Sequence, residues 1–303
     1  MRAAHCLAVV LLAAAPVAAE LSNAWVVPAV AHTPGAGQTF WYSDVSLHNP
    51  HAYDLPVTVL MLPSDTANWT VDSLRVTLYP YETFNLWDVA GSDWFAHYGT
   101  GALLVYVDPD EFDCTPIEAC DFLVSSRTYT VAPWDGAAEF GQAVPGQSAW
   151  AGVDWWSFGY AGGILNGGGF RCNAGMASWT GAWTTVQVDV QDAAGSIVDT
   201  EVFDVPPFGH VQRRLAASVT GGSLVFYLVD GPDDAFVVPY ASVVDERTGD
   251  PSYFAAVPSI VGVSVEKASA RPGTSDRILR DRPAARPLEL SRAQLDERRA
   301  RAR

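Results

Sequence analysis

Leu55-Pro-Val-Thr-Val-Leu-Met61 places Leu55, Val57, Val59 and Met61 on one side of an extended chain, and Thr184-Thr-Val-Gln-Val-Asp-Val190 does the same with Val186, Val188 and Val190. Side chains alternate between faces along a strand, so runs with this period read as half-buried strands. The alternation continues at Leu74, Val76 and Leu78 and at Leu103, Val105 and Val107. Gly, Pro, Asp and Ser break it about every ten residues, which predicts an antiparallel all-β chain.

The two opening segments belong to a longer correspondence. Trp41–Asp44 matches Phe170–Asn173 at the same offset of 129 residues that relates Val57, Val59 and Met61 to Val186, Val188 and Val190. Val76-x-Leu78-x-Pro80 aligns with Phe203-x-Val205-x-Pro207, and Gly101-x-Leu103-x-Val105-x-Val107 with Gly222-x-Leu224-x-Phe226-x-Leu228. Ser126 aligns with Ser242, and Ala143-Val-Pro145 with Ala256-Val-Pro258, the offset falling to 113. Units of about 115–120 residues are the size of one Ig-like sandwich. The sequence therefore predicts two tandem antiparallel β-sandwich (Ig-like) domains from an internal duplication, residues 24–146 and 147–260, before a basic low-complexity tail at 266–303. One pseudo-symmetric double sheet, its halves facing each other, is the alternative. Trp150, Trp155 and Trp156 at the junction favour halves that pack together.

Three segments carry a resemblance: Phe40-Trp-Tyr-Ser-Asp-Val-Ser-Leu-His-Asn-Pro50, Val124-Ser-Ser-Arg-Thr-Tyr-Thr130, and Tyr240-Ala-Ser-Val-Val-Asp-Glu-Arg-Thr-Gly-Asp-Pro251. Over most of residues 24–260 the chain resembles uncharacterised secreted bacterial proteins with paired W-R-T-D-L-x-L-x-N-P and Y-A-S-V-V-D-N-x-T-G-D-P segments. That resemblance implies a secreted tandem sandwich with no assigned activity. The chain departs from the group at Tyr42-Ser43, which lacks the usual Arg, and at Arg171-Cys172. No catalytic residue follows from it.

Composition narrows the function classes. The 303 residues are 49% hydrophobic and 17% charged, which suits a folded body rather than a disordered chain. Residues 20–265 carry 28 acidic side chains against six arginines, while residues 266–303 carry eleven basic against six acidic. So acidic a body argues against wrapping nucleic acid, whose phosphates require a basic surface. Met1–Ala19 has Arg2, an apolar stretch Leu7–Ala15 and the small residues Val17-Ala-Ala19. It reads as a signal peptide cleaved after Ala19, which predicts a secreted protein, extracellular or periplasmic, with no transmembrane span. In an oxidising compartment Cys114 and Cys120 are spaced to close a small disulfide loop, leaving Cys172 unpaired in a strand.

Candidate chemistry is sparse. His48 and His51 bracket a turn without an evident third metal ligand, and Gly-x-Ser-x-Gly is absent. Asp108, Asp110 and Asp113 follow one strand, and Asp230, Asp233 and Asp234 follow its counterpart. Such loops serve either as solvated turns or as calcium sites. Trp69, Trp87, Trp94 and Trp134 lie near turns or lack an aromatic counterpart, and serve either as core or as a stacking surface for a sugar or a protein. Asn68-Trp-Thr70 fits a glycosylation acceptor. The tail reads as disordered apart from a short helix after Ser291, capped by Ser291 and Gln294, and its positive charge suits either the acidic body or an anionic cell surface. The expected function is an exported, non-catalytic structural, adhesive or binding module whose partner is a protein or polysaccharide at the cell surface. The alternative is a carbohydrate-binding or carbohydrate-acting protein using surface Trp and the Asp-rich loops.

Overall fold

A computed structural model describes residues 21–36, 39–132, 135–149, 151–260 and 282–301. The expected leader, Trp134, Trp150 and tail residues 266–281 lie outside the described residues. Strands dominate. The first half contains β1 (Ala24–Pro34), β2 (Phe40–His48), β3 (Leu55–Pro63), β4 (Thr70–Leu78), β5 (Thr83–Leu86), β6 (Gly99–Tyr106), β7 (Leu123–Ala132), β8 (Asp135–Ala143) and β9 (Gln147–Ser148). The second contains β10 (Ser157–Asn166), β11 (Phe170–Ser178), β12 (Thr184–Gln191), β13 (Ile197–Val205), β14 (His210–Arg214), β15 (Val219–Asp230), β16 (Val237–Asp245), β17 (Pro251–Ala255) and β18 (Val257–Ile260). Strand β19 (Ala284–Pro287) and helix α1 (Arg292–Arg301) follow.

In the first half, sheet I runs β4-β3-β6-β1 with β9 beyond β1, and sheet II runs β5-β2-β7-β8. Strand β1 joins both, pairing β6 through Ala24–His32 and β2 through Thr33 and Pro34. Its ladder to β6 breaks between Val27 and Val30, around Pro28, which has no N–H to donate. In the second half, sheet III runs β13-β12-β15-β10-β18 and sheet IV runs β14-β11-β16-β17. Strand β10 breaks its ladder where Gly163 takes a φ of +79°. All pairings within these four sheets are antiparallel.

The alternation that predicts strands also fills the cores. Val57, Val59, Met61, Leu74, Val76, Leu103 and Val105 lie between sheets I and II. Val186, Val188, Val190, Phe203, Val205, Leu224 and Phe226 lie between sheets III and IV. The ladder pairs Val57↔Val76 and Val59↔Val105 occupy the same strand positions as Val186↔Phe203 and Val188↔Phe226.

Two of the sequence alignments slip. Asp44 pairs Arg127 as Asn173 pairs Ser242, so Ser242 stands in the place of Arg127 rather than Ser126. Ser126 lies on the core side of β7 with Val124, whereas Ser242 lies on the side of β16 opposite the core residues Ala241 and Val243. Likewise Trp25 pairs Ser148 where Gly159 pairs Pro258, so Pro258 stands in the place of Ser148 and not Pro145. The first half's strands therefore extend past residue 146, to Ser148.

A third core joins the halves. The outer side of sheet I presents Val26, Leu60, Leu62, Ala102, Leu104 and Tyr106 to Ala177 and Val238 of sheet IV and to Trp179, Phe208 and Phe236 beside it. Among the described residues Trp179 is the tryptophan buried in this seam, whereas Trp155 and Trp156 are exposed. Polar bonds reinforce it: Asn68 Nδ2 donates to the Phe208 carbonyl at 2.9 Å, and Gln147 Nε2 to the Tyr253 hydroxyl at 2.8 Å.

The tail corrects the expectation of disorder for residues 282–301. Strand β19 adds in parallel to the edge of β4. Ser291 Oγ accepts the Gln294 N–H while Gln294 Oε1 accepts the Ser291 N–H, forming the expected capping box. Leu288, Leu290 and Leu295 pack on the first core. Arg282, Arg286 and Arg299 pair with Asp108, Asp72 and Glu82 at 2.7, 2.5 and 2.9 Å, so these cations lie against the acidic body. No helix among the described residues is long and apolar enough to cross a membrane.

Candidate functional site

Strand alternation sends Trp41, Ser43 and Val45 of β2 towards the sandwich interior and Phe40, Tyr42 and Asp44 to the outer face of sheet II. Arg127 and Tyr129 of β7 share that outer face, since Tyr42 pairs Tyr129 and Asp44 pairs Arg127. His32 from β1 and Tyr98 from the loop before β6 extend the group. Ring centroids lie 5.7 Å apart for Tyr42 and Tyr129, 4.9 Å for Phe40 and Tyr42, 4.9 Å for His32 and Phe40, and 5.9 Å for Phe40 and Tyr98. Tyr98 is 66% exposed. The result is a continuous aromatic strip, part covered by its own members and part open to solvent.

Fixed charges flank the strip. The Arg127 guanidinium lies 4.3 Å above the Tyr129 ring, donates to Asp44 Oδ2 at 2.9 Å through Nε and reaches Glu139 at 3.0 Å. Asp44 Oδ1 also accepts the Asp88 N–H at 2.9 Å, and the Asp88 carboxylate lies 2.8 Å from His32 Nδ1. Burial, reinforced by the charge of Asp44, pushes the Tyr129 hydroxyl up to about 12, so it remains a protonated donor. Burial likewise raises the Asp88 carboxyl, against the lowering effect of His32. Flat rings alternating with planar, hydrogen-bonding ions suit stacking plus directed polar contacts.

The corresponding positions of sheet IV hold Arg171 for Tyr42, Asn173 for Asp44, Ser242 for Arg127 and Val244 for Tyr129. Ser242 there meets Gln142 of the first half at 3.3 Å. The aromatic strip thus belongs to the first half alone.

The sequence candidates fare unevenly. Trp69 and Trp87 are exposed, Trp69 with its ring edge on Phe208 at 5.9 Å. Trp94 is not a surface ring: it is 6% exposed, packs against Phe84 and donates through Nε1 to the Trp87 carbonyl at 3.1 Å. Trp183, which the sequence reading passed over, is exposed. Asn68 is buried and its Nδ2 already serves the carbonyls of Pro63, Thr66 and Phe208, so it is no glycosylation acceptor.

Neither acidic loop assembles a cation cage. Asp108 is taken by Arg282, Asp110 projects into solvent beside it, and Asp230 accepts the N–H of Gly231. Asp113, Asp233 and Asp234 join no such group either. Among the described residues, no three His, Cys, Asp or Glu side chains converge on a metal position. His48 and His51 go separate ways, to Thr83 Oγ1 and to the Asp121 carbonyl. Cys114 and Cys120 are bonded to each other, and Cys172 is buried in the second core with its thiol pushed up to about 12, too high for a thiolate nucleophile.

One serine does meet a histidine. Ser64 Oγ lies 2.6 Å from His210 Nδ1, and His210 Nε2 lies 2.8 Å from the Tyr240 hydroxyl. Tyr240 donates its proton to Gln212 Oε1, so it accepts from Nε2–H, and Nδ1 accepts from Ser64. The third member is a phenol rather than a carboxylate, and His210 is 1% exposed, its basicity pushed down to about 3 by burial. The chain of bonds crosses the seam and fastens one half to the other.

Phe40, Tyr42 and Tyr129 were readable as outward residues of their strands, but a search for tryptophan overlooks tyrosine. No protein-family model matches the chain, and no curated protein matches it.

Proposed function

We propose that the chain is an exported, non-catalytic binding module, made by duplication of an Ig-like sandwich, whose ligand is a polysaccharide held on the outer face of sheet II. The duplication is supported by the common strand order of sheets I and III and of sheets II and IV. Export rests on the leader at Met1–Ala19 and agrees with the Cys114–Cys120 disulfide. The observation that carries the binding reading is the continuous ring path from Tyr129 through Tyr42 and Phe40 to Tyr98, edged by the Asp44, Arg127 and Glu139 ions. Partly exposed aromatic strips on a solvated sheet face mark interaction surfaces. A non-catalytic role agrees with the burial of His210 and Tyr240 behind Ser64, with a phenol where a triad would place a carboxylate and the imidazole basicity pushed down to about 3.

Affinity electrophoresis against a polysaccharide panel tests this reading. At least one polysaccharide should retard the protein, and each of Tyr42→Ala and Tyr98→Ala should weaken retardation about 2- to 10-fold, the worth of one aromatic contact. Retardation unchanged in the double variant, or absent with every polysaccharide, contradicts it. Trp183→Ala, away from the strip, should leave retardation as it was.

A further inference from the structure

Strands β4 and β13 are the terminal strands of sheets I and III, and their sequences share a register. Val71-Asp72-Ser73 and Val198-Asp199-Thr200 align in sequence from the pairs Val57↔Val76 and Val186↔Phe203. Ser73 and Thr200 share a ladder position, opposite Leu60 and Asp189, and past Asp199 the β12–β13 ladder shifts register at Val198. On β4 this triplet receives a strand. Ala284, Ala285, Arg286 and Pro287 lie in parallel register with Thr70, Val71, Asp72 and Ser73. The Ala284 and Leu288 N–H groups donate to the carbonyls of Trp69 and Ser73 at 2.9 and 2.8 Å, and Arg286 reaches Asp72. The first half therefore displays how such an edge is filled: two small residues, then an arginine placed on the aspartate.

Strand β13 presents the same edge unfilled. It ends its sheet, and among the described residues no strand pairs its outer side. Val71 is buried in the seam against sheet IV, whereas Val198 is 48% exposed on the uncovered sheet III, with Ile197 and Val202 also open to solvent. Asp199 accepts the neighbouring Thr200 N–H at 2.9 Å. Asp204 lies farther along the same strand and adds to the attraction for a cation. An open edge with apolar neighbours is a template for an added strand, whose main-chain bonds give affinity and whose side chains give selectivity.

We propose that the outer edge of β13 is a docking site for an extended segment of a separate polypeptide. The segment carries two small residues followed by an arginine, lies parallel to Ile197–Thr200, and pairs its arginine with Asp199. This site is independent of the aromatic strip. A second copy of the chain is the poorer occupant. Its own segment of this kind is held by Leu288, Leu290 and Leu295 and by the Arg282, Arg286 and Arg299 pairs, and moving it to a neighbour gives up those contacts.

The probe is a synthetic peptide of residues 282–301 with p-benzoylphenylalanine at position 285, added to the full chain with its own tail in place. Saturable binding is expected, with photo-crosslinks to residues 197–200. Asp199→Arg should weaken binding at least tenfold, and the milder Asp199→Asn several-fold, with thermal melting unchanged in both. Four results overturn the proposal: absence of binding, binding indifferent to both variants, crosslinks confined to residues 70–73 through displacement of the tail, or self-association of the chain that Asp199→Arg abolishes.

Discussion

Sheets I and III share a strand order but treat their outer faces in opposite ways. Where sheet I presents Val26, Leu60, Leu62, Ala102 and Leu104 to the seam, the same ladder positions of sheet III hold Tyr160, Asp189, Gln191, Ser223 and Val225. The sheet III face satisfies itself. The Tyr227 hydroxyl donates to Asp189 Oδ2 at 3.1 Å, Thr200 Oγ1 to Asp189 Oδ1 at 2.9 Å, and Ser223 Oγ to Gln191 Oε1 at 3.1 Å, while Gln187 bonds to Tyr227 as well. Sheet I against sheet IV is a head-to-tail contact, and such contacts propagate unless the next face refuses them. The hydrogen-bonded polar centre of sheet III, with Val198 and Val202 exposed only along its β13 edge, is that refusal, as a polar outer face is in the terminal unit of a repeat array. Backbone topology thus allows a stack, and a handful of outer residues decides that it stops at two.

The contrast can be broken at its apolar side first. Leu60→Ala should cost about 2–5 kcal/mol in urea unfolding, because it empties a packed seam. Asp189→Ala, at the matching place in sheet III, should cost about 1–2 kcal/mol, since its partners there can turn to water. Equal costs would mean that the two faces are buried alike.

The seam's histidine gives a pH signature that sheet III has no means to produce. His210 stays neutral in the folded chain down to about pH 3, whereas its ordinary value is 6.5. The unfolded chain therefore takes up a proton first as pH falls. Stability that is complete above about pH 6.5 is lost on the way towards 3, by at most about 1.4 kcal/mol per pH unit from this group. Comparing the wild type with His210→Gln between pH 7 and 5 isolates it, and parallel curves would show a solvated or already paired imidazole.

A smaller effect distinguishes the two sheet edges. Ser291→Ala removes the cap of α1 and should cost that helix about 1 kcal/mol, read as faster amide exchange in residues 292–301. Arg286→Ala removes an exposed pair and should cost less than about 1 kcal/mol, more at low salt than at high. Exchange at β13, whose edge is open, should not respond to either change.

How far these features were legible depends on the kind of signal. Alternation revealed the strands and the true counterparts on β2, β3, β4 and β6, because core positions there keep both their residue type and their face. It failed at β7, where matching Ser126 to Ser242 followed residue identity and ignored which side of the strand each occupies. The capping box was readable since its partners are three residues apart. The fate of Asp108 was not, because its partner Arg282 is remote in sequence. Neither was Trp94, whose burial depends on Phe84 and on a carbonyl that only the folded loop brings near. The aromatic strip was half legible: each strand shows its outward residues, but their adjacency required the β2–β7 pairing.

The unequal outer faces are tested most directly by thiol labelling of two matched variants, Ala102→Cys and Ser223→Cys, in the native protein. Ladder position is the same, so only the environment differs. Ser223→Cys should react as an accessible thiol, and Ala102→Cys about a hundredfold more slowly or less, waiting for the seam to open. Equal rates at the two positions would contradict a seam on sheet I and a solvated face on sheet III.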